Sequence, residues 1–331
     1  MPYPVRVPAC LTALLATSTL ALAGAAPMPR TPPQVVIISF DSAQDIAQWK
    51  RSRALAARTG ARFTYFLSCV YLLTPETKRL YDAPGKGPGR SNIGFARSKA
   101  EVADRLEQIN RALAEGHEIG SHACGHFDGK GWSKADWLAE FAAFRDVFRD
   151  AYRINGIAGE PAGWREAAAG RIKGFRAPYL STAKAMYAAL AQSGFAYDAS
   201  GVSRGPVEPA AAGGVERFAL PQIPEGPQAR RVIAMDYNLF VRHSGGFDRP
   251  DEAAAFQARS YEAFKAAFDE QYRGQRMPLQ LGFHFTLMND GAYWNALEQF
   301  AGEVCVKPDV VCTSYAGYLS RADQRDSPAG G

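Results

Sequence analysis

An α/β fold with parallel strands is the class this sequence predicts, and three observations predict it. Short β-branched, apolar runs alternate with helix-patterned segments along most of the 331 residues. The helical segments carry their own start and stop signals. Polar and titratable residues gather where the apolar runs end, which is where parallel α/β sheets place their active sites.

Taken in order, PQVVIISFD (33–41) is a buried strand with a polar end. DIAQWKRSRALAARTG (45–60) is a helix closed by Gly60. ARFTYFLSCV (61–70) predicts a second strand. A helix follows over 98–116, opened by Ser98 and Glu101 as a capping box and ended by Gly116. HEIGSH (117–122) is a short third strand. SKADWLAEFAAFRDVFRDAYR (133–153) is a long amphipathic helix with a second box, Ser133 and Asp136. Further strands are predicted at RIKGFRAPY (171–179), FAYDAS (195–200), RVIAMDY (231–237), LQLGFHF (279–285) and DVVCTSY (309–315). Helices lie between them at 181–194, 251–273 and 291–303, and a short helix ends the chain. Two Gly- and Pro-rich stretches, 72–97 and 201–230, break the rhythm as long loops. The first follows a strand end and is expected to overhang the site. Either a barrel or an open doubly wound sheet fits this alternation.

Composition is ordinary for a globular chain, with 47% hydrophobic and 21% charged residues. The first residues stand apart. A short basic start, MPYPVR, precedes the apolar run ACLTALLATSTLALA, and small residues at 21–23 suit cleavage. This is the pattern of a secretory signal peptide over 1–23. Its removal takes Arg6 from 38 basic residues and leaves the 33 acids, a net charge of +4. That is too little to argue for a nucleic-acid partner. No later stretch has the ~18 uninterrupted apolar residues of a membrane span, so no stable membrane insertion is expected after cleavage. Four cysteines remain: Cys69, Cys124, Cys305 and Cys312. An even count in an exported chain points to disulfides. CVKPDVVC brackets a turn, so Cys305–Cys312 is the expected bridge; Cys69 and Cys124 either pair or stay as buried thiols.

The reactive residues fall at predicted strand ends: Asp41, His122 and His126, Arg176, Asp198 and His284. Each alone has an ordinary structural explanation, such as a satisfied core histidine or a paired arginine. Together they point to one site. His122 and His126 are four residues apart in GSHACGHFDG, and His117 just upstream belongs to the strand. His243, in VRHSGG, is expected in a loop, and Asp198 is expected to be structural. Trp132, Tyr81 and Trp294 are aromatics able to stack on sugar, but more often such residues pack.

In this order, the segments resemble the polysaccharide deacetylases of the NodB-type carbohydrate esterase family. SFDSAQD (39–45) stands where that family has Thr-Phe-Asp-Asp-Gly, and TYFLS (64–68) where it has a Thr-Phe-Phe strand. HEIGSHACGH (117–126) is similar to its His-Ser/Thr-x-x-His motif, FRAPY (175–179) to its Arg-x-Pro-Tyr motif, and LGFH (281–284) to its last motif. The resemblance covers roughly residues 34–321, leaving a leader at 24–33 and a disordered tail at 322–331.

It implies a distorted (β/α) barrel of about seven parallel strands, a divalent metal, usually zinc, and removal of N-acetyl, or alternatively O-acetyl, groups from an acetylated glycan. On that resemblance Asp41 is the general base, His122 and His126 are metal ligands, Arg176 orients the base, Tyr179 donates its backbone N–H to the oxyanion, and His284 is the general acid. The chemistry suits these types: a metal on imidazoles acidifies water, a carboxylate takes its proton, and a histidine protonates the leaving amine. One departure matters. Ser42 replaces the family's metal-ligand Asp and Ala43 its Gly, and a hydroxyl is a far poorer ligand for a divalent ion. Either Asp41 ligates the metal itself, or Asp45 swings in as third ligand, or the chain is a carbohydrate binder that keeps the barrel with a weakened site. A monomeric protein, secreted or periplasmic, is expected.

Overall fold

Residues 1–4 and 32–326 are described in a computed structural model of the chain. Nearly all of the expected signal peptide and of the leader, and residues 327–331, lie outside the described residues. The strands are β1 Gln34–Ser42, β2 Thr64–Leu67, β3 Asp82–Ala83, β4 Gly87–Pro88, β5 Glu118–Ser121, β6 Gly174–Phe175, β7 Tyr197–Ser203, β8 Ala210–Ala212, β9 Val215–Glu225, β10 Arg230–Ile233, β11 Leu279–His284 and β12 Val310–Thr313. The helices are α1 Ile46–Thr59, α2 Lys99–Ala114, α3 Lys134–Ile154, α4 Trp164–Arg171, α5 Lys184–Gln192, α6 Asp236–Ser244, α7 Ala253–Arg273, α8 Met288–Val304 and α9 Tyr315–Asp326.

One ten-stranded sheet runs in the order β10-β9-β7-β6-β5-β2-β1-β11, with β12 paired to β1 and β8 to β9. From β11 across to β9 every pairing is parallel; β8 and β10 run antiparallel to β9. The sheet curls until its two ends meet at a single bridge, Met235 to Gly282, where the Gly282 N–H donates to the Ala234 carbonyl at 2.9 Å. A Cβ on Gly282 would lie 2.8 Å from the end of the Met235 side chain, so a larger residue there would have to push that side chain aside. The fold is the distorted barrel, and the open doubly wound sheet is set aside.

β1 is buried on both faces along its whole length, which is why it reads as an unbroken apolar run. Side chains alternate with period two. Val36, Ile38 and Phe40 face the helix layer, where Phe40 packs against Tyr65 and Trp294. Val35 and Ile37 belong to a second cluster with Phe66, Tyr197, Phe218 and Tyr315. Ser39 and Asp41 continue that second face, turning polar as the strand reaches its carboxyl end.

Several local expectations hold in detail. Gly60 ends α1 at φ 72°, as expected, and Asp45, for which no capping role was expected, caps its start by accepting the Gln48 N–H at 2.9 Å. Both halves of the box at Ser133 and Asp136 form on α3. Others need correction. Ser98 accepts the Glu101 N–H, but Glu101 accepts the Arg97 N–H rather than completing a box. The strand expected over 61–70 stops at Leu67 and turns into a 3₁₀ segment, Cys69–Leu72. Within 201–230, read as loop, lie β8 and the eleven-residue β9, because Gly and Pro there mark turns between strands. α4 and α6 went unpredicted, and His243 sits in α6 rather than in a loop. Residues 322–326, assigned to a disordered tail, continue α9. Among the described residues no helix is long and apolar enough to cross a membrane. Cys305–Cys312 and Cys69–Cys124 are both disulfides.

Candidate active site

Strand register assembles the site. Asp41 on β1 pairs with His284 on β11. One residue further, Ser42, Leu67, Ser121, Phe175 and Asp198 form a row across β1, β2, β5, β6 and β7. His122 and Arg176 are the next residues after this row, so the chain delivers both to the same end of the barrel. A cleft of about 820 Å³ opens there, lined by Asp41, His122, His126, Tyr179 and His284 among others. The 72–97 segment reaches it at Ile93.

Arg176 lies beneath the cleft, fully buried. It donates to Asp41 Oδ1 at 2.8 Å, Ser39 Oγ at 2.9 Å, the Ala199 carbonyl at 3.0 Å and the Tyr315 hydroxyl at 2.8 Å, over the Phe66 ring. Burial alone would raise the Asp41 pKa; the Arg176 charge and hydrogen bond outweigh it and hold the carboxyl below its ordinary range. Asp41 is therefore ionised and aimed.

The histidines divide. Burial pushes His122 down to about 3, and its Nδ1 lies 2.9 Å from the Arg176 carbonyl, leaving Nε2 toward the cleft. Burial also lowers His126, whose Nδ1 is buried with no hydrogen-bond partner. Burial works against the charged form of His284 as well, but Asp236 overcomes it and the pKa rises. Asp236 Oδ1 lies 2.7 Å from His284 Nδ1, and Oδ2 accepts the His284 backbone N–H at 2.7 Å. Sequence reasoning missed Asp236. Its signal was present, an acid at the end of the predicted strand RVIAMDY, but it was read as part of the strand.

The loops around the cleft hold non-glycine residues in left-handed backbone: Ser42, Ala43, Ala123, His126, Tyr179 and Leu180, all with φ between 50° and 71°. Such conformations cost on the order of 1 kcal/mol or more each and cluster where surrounding structure over-determines them. For the histidine loop that structure is visible. Cys124 is bonded to Cys69, its N–H donates to Glu140 at 2.7 Å, and the Gly125 N–H donates to the Tyr81 hydroxyl at 3.1 Å. At Tyr179 the turn's hydrogen bonds run from Leu180 to Ala177 and from Ser181 to Pro178, and neither uses the Tyr179 N–H. Its ring stands exposed, 4.8 Å from His126.

Other predicted residues lie elsewhere. Asp198 is buried under the site, accepts the Ser200 hydroxyl at 2.6 Å, and burial raises its pKa to about 6. His117 accepts the Phe63 N–H, and His243 pairs with Glu225. Tyr81 and Trp294 are core; Trp132 is half-buried and outside the cleft. Asp45, engaged as a helix cap, lines a neighbouring hollow and not the cleft.

Two neutral imidazoles and a carboxylate are donor types that zinc takes. The third position expected to hold a carboxylate has the Ser42 hydroxyl, Asp41 is committed to Arg176, and Asp45 is committed to α1. Among the described residues no group of three or more His, Cys, Asp or Glu is arranged to hold an ion. The side chains as placed do not complete a metal site.

No protein-family model matches the chain, and no curated protein matches it by sequence. Solved structures do match. One, described as a polysaccharide deacetylase of Mycobacterium smegmatis, has a TM-score of 0.52 at 16% identity over 92% of this chain and 95% of that one. Another so described, from Pseudomonas aeruginosa PAO1, has a TM-score of 0.52 at 15% identity over 90% of this chain and 93% of that one. An allantoinase matches with the same TM-score, identity and coverage as the second. The chain has the fold of the polysaccharide deacetylases, a fold that the allantoinase shares, so the fold alone does not name the reaction.

Proposed function

We propose that the protein is an exported hydrolase that removes acetyl groups, N-linked or O-linked, from an amino-sugar polysaccharide. One observation carries the reading. Asp41 and His284 stand side by side on paired strands, and their surroundings favour opposite charges: Arg176 favours the ionised carboxylate and Asp236 favours the protonated imidazole. Groups whose environments drive their charge states apart in one cleft are an acid and base pair. In this reading Asp41 takes a proton from the attacking water. The Tyr179 N–H stabilises the oxyanion of the tetrahedral intermediate. His284 gives its proton to the leaving nitrogen or oxygen, so water and the acetylated sugar yield acetate and the free amine or alcohol. His122 and His126 are neutral donors facing the same carbonyl. Zinc held by them would acidify its water and polarise that carbonyl, but among the described residues no third donor is in place beside them. Export is supported by the amino-terminal pattern and by the two disulfides.

The test is acetate release from N-acetylated and O-acetylated oligosaccharides, with and without added zinc, by wild type and Asp41→Asn. Release by wild type that collapses in the variant supports the reading. Retained glycan binding with no release under any condition favours the carbohydrate binder, the reading that Ser42 supports.

A further inference from the structure

A second hollow, of about 690 Å³, adjoins the cleft and is lined by Lys86, Arg90, Asn92, Phe127, Asp128 and Trp132. The two share a wall. Ile93 and His126 face the cleft while their chain neighbours Asn92 and Phe127 face the hollow, and Asn92 Nδ2 donates to the His126 carbonyl at 3.1 Å. A glycan lying in the cleft therefore reaches the hollow by crossing this seam. We propose that the hollow binds a neighbouring sugar unit of the same chain, one that carries a carboxylate or another anionic group. The proposal rests on the glycan reading above and names its substrate class.

Charge and shape support it. Lys86 and Arg90 are exposed, and neither forms an ion pair among the described residues; Lys86 lies over the Phe127 ring at 5.9 Å. The one acid in the lining, Asp128, accepts the Lys130 N–H at 3.0 Å. Two cations without ion-pair partners, beside an amide and an aromatic ring, form an anionic-sugar lining: an ammonium and a guanidinium for the acid, Asn92 for hydroxyls, Trp132 for the ring's apolar face. The lining is also pre-formed. Lys86 and Gly89 donate their N–H groups to the Ala83 and Tyr81 carbonyls, and β3 pairs with β4, which fixes the loop carrying both cations. Trp132 is half-buried against Trp137 at 4.9 Å between ring centres. Pre-formed sites lose less entropy on binding.

The test uses ligands without acetyl groups, so its outcome does not depend on deacetylation. Calorimetry compares an oligogalacturonate with its fully methyl-esterified, neutral form. The wild type is expected to prefer the acidic form by about three- to tenfold, as two exposed charge pairs allow. Raising salt is expected to shrink that preference. Lys86→Ala/Arg90→Ala should erase it, while Trp132→Ala should weaken both ligands alike. Equal affinities in the wild type, or a preference that survives the double variant, overturn the proposal. Acetate release that fails on every substrate, with the acidic preference intact, would instead overturn the deacetylase reading alone.

Discussion

The two walls of the cleft use the same residue type to opposite ends. On one wall His284 has a carboxylate on Nδ1, and its pKa rises despite burial. On the other, His122 has a backbone carbonyl on Nδ1 and the His126 Nδ1 has no partner; burial outweighs the opposing pull of the Asp41 charge, and both pKa values fall. Burial is common to all three, so the partner on one ring nitrogen decides which histidine stores a proton and which offers a lone pair.

Asp41 faces both walls, and removing its charge has the largest expected effect. Asp41→Asn should lower acetate release by about 10²–10⁴-fold, the range of general acid–base catalysis. It also strips Arg176 of its counter-charge, so a melting curve should show destabilisation of about 3–5 kcal/mol. Unchanged turnover would remove Asp41 from the chemistry.

Next comes the bond that holds the neutral wall in shape. Cys69 and Cys124 are 55 residues apart, whereas Cys305 and Cys312 are 7 apart. Loop-closure entropy makes the first worth about 4 kcal/mol and the second about 2.5 kcal/mol. Replacing Cys69 and Cys124 by Ser should cost more stability in denaturant titration than replacing the other pair. It should also cost activity, since Cys124 lies between the two cleft histidines. Equal losses of activity from both pairs would break that distinction.

The charged wall is probed by Asp236→Asn. As a proton donor, His284 works below its pKa, so wild-type activity should fall as pH rises through that raised value. The variant should move the falling limb to lower pH, with the rate above it down about tenfold for each pKa unit lost. Stability shows the contrast with opposite sign. His284 contributes stability below the unfolded pKa near 6.5, and that contribution is lost as pH rises through its folded value. His122, at about 3, contributes stability above pH ~6.5 that is lost as pH falls toward 3. Chemical denaturation across this range checks both signs.

The smallest effect expected is a gain. Ser42→Asp supplies a carboxylate beside the imidazole pair, and aspartate tolerates the φ of 71° found there. Zinc affinity by titration calorimetry should tighten by at least about tenfold. No change would mean that residue 42 does not face the ion.

Much of this was legible in the sequence because it is written locally. Strand alternation, the stop at Gly60, the box at Ser133 and the order of the motif segments all depend on near neighbours. The cleft residues were legible because parallel strands bring their ends together. What stayed hidden depends on distant partners. Asp45 looked available as a ligand until α1 claimed it. Asp236 looked like strand until β11 brought His284 against it. The length of β9 was masked by glycines and prolines whose meaning depends on which strands lie beside them.

The bridge between Met235 and Gly282 has a consequence for time as well as shape. Asp236 follows Met235 by one residue, and His284 follows Gly282 by two. The contact that joins the two ends of the sheet is therefore the contact that brings the carboxylate to the imidazole. A chain with every helix formed but the seam still open lacks the carboxylate–imidazole pair proposed to donate the proton. During refolding, recovery of the His284-dependent limb of the pH profile should trail recovery of helical signal, so that catalysis times the last closure of the barrel.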